Sequence, residues 1–465
     1  MERPMSDDQP TLFGRPIDRR ELLKLTGKVL AGGAAAGMWL SPELAGYVEA
    51  AATGRAAGGT VTVMKQFYSP GTPSQWKALL DLFTKETGIA VVMDNQNYNN
   101  QYQKIFVQGT SGTPGDDVVE IDTIWTGSFG GAGFTLDLTD FLPVSVQKQI
   151  AAPSMGAVGY KGKLYGVPEY NSSKHFYYNI KMLNSVGLMH PPTTLDEMIQ
   201  YCQVLQKNKG KLGIQYPMSW SWKQAEALTC DFVQMIDSLG GRFYATDNIT
   251  PAFNKGAGVQ ALTMMKMMLD KGYASPGSLT HIEPDAENDL LSGRTAMSTN
   301  WEGPMADSIN PSLGVKAVRG QIRMALLPGS AGRKSGSCLG PEGWAIMKAS
   351  PNQKQAKAFI NWWITTKTQV ETMKRFDAFP IYSSLYSNPA LRQQVAKGDG
   401  QDDFAIYGQQ FSYAQARPNF PGYLAASTRL QVRLHKAFLG QQTPQQALND
   451  AVADMKASTG GGNNP

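Results

Sequence analysis

Asp117-Val118-Val119-Glu120-Ile121-Asp122-Thr123-Ile124-Trp125 is the stretch on which the fold turns. Val118 to Ile121 reads as a short buried strand, and it runs straight into hydrogen-bonding and aromatic residues. Moving toward the N-terminus, Ile89 to Met93 is the preceding strand and Val61-Thr62-Val63-Met64 the one before that. Helices fill the gaps. Thr72-Pro73 offers an N-cap followed by proline at the first helical position. Trp76, Leu79, Leu80 and Phe83 then recur at i, i+3, i+4 and i+7, which is one apolar face, and Gly88 stops the helix. A second helix runs from about Asn99 to Gln108. Two strand–helix–strand units in succession predict a parallel sheet covered by helices.

In such sheets ligands gather beyond the carboxyl ends of the strands. Those ends carry Phe67-Tyr68 and Asp122-Thr123-Ile124-Trp125. A pyranose offers an apolar C–H face that stacks on an aromatic ring, and hydroxyls that carboxylates or amides take up. For Trp125, sugar contact and ordinary core both fit.

Further along, Gly162-Lys163-Leu164-Tyr165-Gly166-Val167-Pro168 reads as a strand entering a fixed bend, followed by Tyr170-Asn171-Ser172-Ser173 and Phe176-Tyr177-Tyr178-Asn179. Pro191-Pro192-Thr193-Thr194 opens a helix from Leu195, a loop holds Trp220 and Trp222, and helices cover Ala225–Leu239 and Gly258–Gly272. Met264, Met265, Met267 and Met268 in the last of these are read as core filler. Trp362 and Trp363 sit in a helix opened by Ser350-Pro351 and are read the same way.

With 465 residues, 42% hydrophobic and 17% charged, the chain is globular and long enough for two cores. A net charge of +5, with no long basic run, gives little support to a nucleic-acid partner. Cys202, Cys230 and Cys338 fit no zinc module, and four scattered histidines argue against a metal site. A Cys202–Cys230 bridge and buried free thiols both remain open. Near the N-terminus, Asp18-Arg19-Arg20-Glu21-Leu22-Leu23-Lys24 precedes an apolar stretch from Val29 to Leu40 and small residues around Val48 to Ala52. That order describes an export signal of twin-arginine type. The stretch is too short to span a membrane. With no cysteine before Cys202, no lipid anchor is expected, and the mature chain should begin between residues 49 and 60.

Read in order, these segments resemble the extracellular solute-binding proteins of ABC sugar importers, the maltose/trehalose type above all. Asp117 to Trp125 resembles that family's strand and sugar-contact loop, and Gly162 to Pro168 its lobe-crossing signature. Ser292-Gly293-Arg294-Thr295-Ala296-Met297 with Asn300-Trp301-Glu302-Gly303-Pro304 resembles the stretch that brings a tryptophan into the cleft. Gly343-Trp344-Ala345-Ile346 with Lys348-Ala349-Ser350 is similar to the second crossing. Ala416-Arg417-Pro418, Pro421-Gly422-Tyr423 and Ala447-Leu448 match the closing region. Gly340-Pro341-Glu342 departs from the pattern where relatives often carry a glycine pair, which leaves the local backbone and any contact from Glu342 open.

The resemblance implies an α/β protein of two lobes, each a sheet flanked by helices, joined by hinge crossings. Lobe one is expected over 60–167 plus 340–388 and lobe two over 168–339 plus 389–455, with export signal and linker over 1–58 and a tail over 456–465. It also implies a carbohydrate ligand, membrane permease subunits with a separate ATPase as partners, no cofactor and a monomer; the several candidate tryptophans, each able to cover one sugar unit, point to a di- or oligosaccharide. Asp122 and Trp301 are the leading ligand candidates, followed by Trp344, Tyr68, Trp125, Tyr170 and Asn171, then Trp220, Trp222 and Arg417. Polyols, glycerol phosphates and aminosugars suit the same scaffold.

The rival is a secreted carbohydrate-active hydrolase, which needs two carboxyl groups facing across the bond. Gly336-Ser337-Cys338-Leu339-Gly340 imitates a nucleophile elbow, but Pro341 follows where a helix should start. Gly332-Arg333-Lys334-Ser335 lacks the earlier glycine of a phosphate loop, since Leu327 stands there.

Overall fold

The computed structural model describes residues 11–12, 15–16, 58–66, 73–304, 318–376, 378–395 and 403–458. Residues 1–53 form a unit of their own, in which Thr11–Leu12 pairs antiparallel with Arg15–Pro16. The twin-arginine stretch and Tyr68 lie outside the described residues.

In the unit from Gly54 onward, nine strands build two sheets. They are β1 (Thr60–Gln66), β2 (Ala90–Gln96), β3 (Val118–Asp122), β4 (Val167–Pro168), β5 (His175–Asn179), β6 (Tyr216–Ser219), β7 (Thr295–Asn300), β8 (Ile322–Ala325) and β9 (Glu342–Ile346). The helices used below are α1 (Pro73–Thr87), α2 (Tyr98–Ser111), α3 (Glu226–Ser238), α4 (Ala257–Asp270), α5 (Glu283–Leu291), α6 (Gln353–Trp363), α7 (Thr366–Phe376), α8 (Asp403–Tyr413) and α9 (Tyr423–Phe438).

Sheet one runs β2-β1-β3-β9-β4. The expected parallel order holds for β1, β2 and β3, whereas β9 is antiparallel to both β3 and β4. The sheet is therefore mixed, because β9 arrives from the second lobe in the opposite direction. Register sets Glu342 opposite Asp122 and Ile346 opposite Val118. One face carries Val61, Val63, Val118, Trp344 and Ile346 and is covered by Trp76, Leu79, Leu80 and Phe83 of α1, with Phe359, Trp362 and Trp363 of α6. The 3.6-residue period of the α1 stripe and the 2-residue period of the strands meet there.

Sheet two runs β6-β7-β5-β8, with β6 and β7 parallel and the other pairs antiparallel. Helices α3, α4 and α9 pack together in this lobe. Met265 and Met268 are buried in its core, with Met264 and Met267 packed against it. Bridges Ser173–Leu339 and Asn171–Phe379 set three connections side by side: β4 to β5, β8 to β9, and α7 to α8. The architecture is a two-lobed α/β fold.

Candidate functional site

The sheet-one face just described changes character at one end. Val63 is followed two residues later by Lys65, Val118 by Glu120, and Trp344 is preceded by Glu342, so the period that buries the apolar row also lines up charges. The Lys65 ammonium pairs with Glu120 and lies 2.8 Å from Glu169. Carboxylate oxygens of Glu120, Glu169 and Glu342 lie within 4.8 Å of one another. The Gln66 amide donates to Glu120 at 2.6 Å and the Tyr170 hydroxyl to Glu342 at 2.9 Å. Lys65 also lies over the rings of Trp76 and Trp344, 4.6 and 5.5 Å from their centroids.

Burial alone would discharge Lys65, but Glu120, Glu169 and Glu342 outweigh it and hold the ammonium above its ordinary range. Burial pushes the carboxyls of Glu169 and Glu342 well up, while Lys65 overcomes the same burial at Glu120 and draws it down. One ammonium among three carboxyls thus favours the ionised form of Glu120 and the protonated forms of Glu169 and Glu342. Lys65 supplies the positive charge that a metal ion would bring. Sequence reading missed this group; its signal was a lysine and a glutamate interrupting two buried apolar strands.

A second constellation joins the end of β3 to the start of α3. Asp122 accepts from the Tyr98 hydroxyl at 2.7 Å and from the Ile124 amide at 3.2 Å, capping the short helical turn Thr123–Trp125. Arg417 reaches Asp122 at 3.3 Å through Nη2 and Glu226 at 2.9 Å through Nη1. Glu226 also accepts from the hydroxyls of Tyr423 at 2.9 Å and Ser427 at 2.6 Å. The side chains of Glu226, Asp122 and Arg417 are all largely enclosed.

Trp301, at the end of β7, is half-buried. Its indole N–H donates to Glu283 at 3.3 Å, and its backbone carbonyl accepts from the Tyr177 hydroxyl at 2.7 Å. The ring lies so close to Gly340 that a Cβ there would stand 2.5 Å from it, which explains glycine at that position. Lys174 lies 5.5 Å from the ring centroid, but its ammonium is bound to buried Asp231, whose carboxyl burial pushes up to about 6.

The remaining candidates are placed differently. Trp344 is fully buried, 5.3 Å from Trp363, 5.5 Å from Phe359 and 6.2 Å from Trp76. The expectation that it stacks on a sugar is corrected: no face of the ring is free. Trp125 is likewise enclosed by Tyr98 at 4.8 Å, Tyr102 at 5.4 Å and Phe129 at 6.0 Å. Trp220 and Trp222 stack on each other at 5.2 Å, and Trp222 on Phe438 at 5.2 Å, so both belong to the lobe-two core rather than to a sugar face. Asn171 spends its amide on Ser154, Tyr386 and the Pro380 carbonyl, which fastens the connections and leaves nothing for a ligand. Tyr170 is buried and its hydroxyl donates to Glu342.

The three cysteines are free and buried. Ser337–Cys338 is a strand paired with Ala414–Gln415, and the Ser337 hydroxyl donates to the Lys174 carbonyl at 2.7 Å, so no elbow is present. The cavity of 590 Å³ bounded by Tyr178, Pro192, Met324 and Leu327 is mostly apolar and shares none of these groups.

Fold and site together define a two-lobed solute-binding protein. Residues 69–370 match the family model of the bacterial extracellular solute-binding proteins, and the chain belongs to that family. The probable amino-acid ABC transporter periplasmic-binding protein y4oP of Sinorhizobium fredii is 27% identical over 394 residues, 81% of this chain and 84% of that protein. The diacetylchitobiose binding protein DasA of Streptomyces coelicolor is 25% identical over 371 residues, covering 78% and 83%. Among solved structures, maltose-bound MalE3 of T. maritima superposes with a TM-score of 0.77 at 21% identity, over 86% of this chain and 100% of that one. No helix among the described residues is long and apolar enough to cross a membrane.

Proposed function

We propose that the chain captures an uncharged sugar or polyol between its lobes and hands it, unaltered, to a membrane permease driven by a separate ATPase. The observation that carries this reading is the half-buried ring of Trp301, set where the lobe connections meet and beside carboxylate acceptors. An aromatic face with acceptors around it suits the two faces of a pyranose. Each cation of the site is committed: Lys65 to Glu120, Lys174 to Asp231, Arg417 to Asp122 and Glu226. A phosphate or carboxylate on the ligand would therefore meet cations already neutralised by carboxylates, with the Nε–H of Arg417 left without a hydrogen-bond partner. The ligands named for DasA and MalE3 support a sugar, while the name of y4oP makes amino acids a necessary control.

The lobes are assigned to 60–167 plus 340–388 and to 168–339 plus 389–455; the pairing of Val167–Pro168 with β9 supports a crossing just beyond it. Ligand favours the closed form because only there does it touch both lobes. Twin-arginine export and a monomeric state complete the proposal. Hydrolysis is disfavoured because the clustered carboxyls are buried around Lys65 rather than set apart across an open bond.

A thermal-shift panel of maltose, diacetylchitobiose, ribitol, sugar phosphates and amino acids tests the reading, each ligand being recovered and checked for breakdown. A ligand at about a hundred times its dissociation constant adds roughly 2.7 kcal/mol. One sugar or polyol that shifts the melt and returns intact supports capture. A shift from amino acids alone, or a consumed sugar, overturns it.

A further inference from the structure

Glu302 follows Trp301 directly, and its carboxyl faces the lobe connections. Oε2 accepts from the Ser172 hydroxyl at 3.0 Å, and Oε1 from the Ser173 amide at 3.2 Å. Both serines lie on the β4-to-β5 connection. Oε1 also lies 2.9 Å from the Tyr407 hydroxyl of α8. That hydroxyl has a single hydrogen but meets two acceptors, since it also contacts the Asn171 carbonyl. If the phenol gives its hydrogen to Asn171, the contact with Glu302 closes only when the carboxyl supplies one of its own.

We infer that Glu302 is a positioning residue for Trp301: as a neutral carboxylic acid it clasps the end of β7 to the lobe connections and to Tyr407, and loss of its proton loosens the clasp. The neighbouring contacts fit. The Trp301 carbonyl is tied to Tyr177 on β5 and its ring rests on Gly340 of the β8-to-β9 connection, so ring and carboxyl of adjacent residues touch two of the three connections. A change at Glu302 therefore shifts the ring on which a ligand would stack.

Among the described residues, the titratable groups around Glu302 are the phenols of Tyr407, Tyr386 and Tyr170, with the His175 imidazole stacked on Tyr407 at 4.8 Å. All three phenols are held above their ordinary range, chiefly by burial. Lys174, on the same connection, is bound to Asp231. Burial pushes the Glu302 carboxyl up from 4.5 to about 7, against the hydrogen bonds that favour its anion. Burial pushes His175 the other way, down to about 3. A raised carboxyl contributes stability that is complete below about pH 4.5 and is lost as pH rises through about 7. His175 gives an opposite slope below its ordinary 6.5, so the test compares a variant with wild type instead of reading one curve.

Melting of the ligand-free full chain from pH 4.5 to 8.5 is compared for wild type and Glu302→Gln, which fixes the neutral form. The wild-type melting temperature should fall relative to the variant up to about pH 7 and run parallel above it. A difference independent of pH overturns the inference, because a purely structural hydrogen bond would shift the variant uniformly. The second arm, which alone rests on the sugar reading, is calorimetric binding of maltose over the same range. Wild-type affinity should weaken several-fold with rising pH, while Glu302→Gln keeps its low-pH affinity throughout. If maltose binds neither protein, that ligand reading fails and the melting curves still decide the clasp. Should Glu302→Gln not fold, Tyr407→Phe should move the window to lower pH by removing the acceptor of the carboxyl's proton, and an unmoved window overturns the inference.

Discussion

Nη2 of Arg417 lies 3.3 Å from Oδ1 of Asp122, and this contact ties the end of a sheet-one strand to a residue whose other arm holds lobe two through Glu226. All three side chains are at least nine-tenths buried. Breaking a buried pair leaves an uncompensated charge, at a cost of about 3–5 kcal/mol. Arg417→Ala should therefore lose about that much in urea unfolding at pH 7, and Arg417→Lys somewhat less because one arm is retained. A loss below about 1 kcal/mol would show that the two carboxylates relax without the guanidinium.

The two tryptophans expected to stack on ligand separate cleanly by variant. Trp301→Ala should weaken sugar binding more than tenfold with a modest change in melting temperature, since its ring is half-buried. Trp344→Ala removes the centre of an aromatic cluster with Trp76, Phe359 and Trp363, and should cost about 3–5 kcal/mol of stability. Paired measurements of unfolding and binding check both. Unchanged affinity in folded Trp301→Ala would remove it from the site.

Commitment of Lys65, Lys174 and Arg417 to carboxylates predicts selectivity against anions. A sugar that shifts the melt should lose at least tenfold in affinity when phosphorylated, because the phosphate meets the carboxylates of Glu226 and Glu283 while the cations of the site are already paired. The comparison needs only the phosphorylated and plain forms of one sugar in the same titration. Equal affinities would mean that a cation leaves its partner on binding.

The alternation of β1, β2 and β3 with α1 and α2 was legible because both periods are local, and the Trp76 stripe was found where the period set it. The antiparallel β9 was not, since strand direction depends on where a distant segment re-enters the sheet. Among candidate residues, chemistry alone could not rank the tryptophans. Trp344 and Trp301 look alike in sequence, and only the helices α1 and α6 laid over one of them make it core. Lys65, Glu120 and Glu169 went unread because their meeting joins β1, β3 and the end of β4, over a hundred residues of chain.

Lys65 gives a prediction whose sign is set by that meeting. Glu120 is held below its ordinary value because Lys65 outweighs burial, so the pair's contribution is present above about pH 4.5 and lost as pH falls through the depressed value. Lys65→Met removes the ammonium and leaves Glu120 buried, still accepting from the Gln66 amide, beside Glu169 and Glu342. Its carboxyl should then rise and take up a proton. The variant should lose about 3–5 kcal/mol at pH 7 and recover much of it near pH 4, the reverse of ordinary acid destabilisation. Adding Glu120→Gln should restore part of the loss at pH 7, because the pair is coupled and the remaining carboxyls are already neutral. Unfolding curves of the single and double variants at both pH values decide it: a loss equal at pH 7 and pH 4, with no recovery in the double variant, would assign Lys65 to packing against Trp76 and Trp344 instead of to charge.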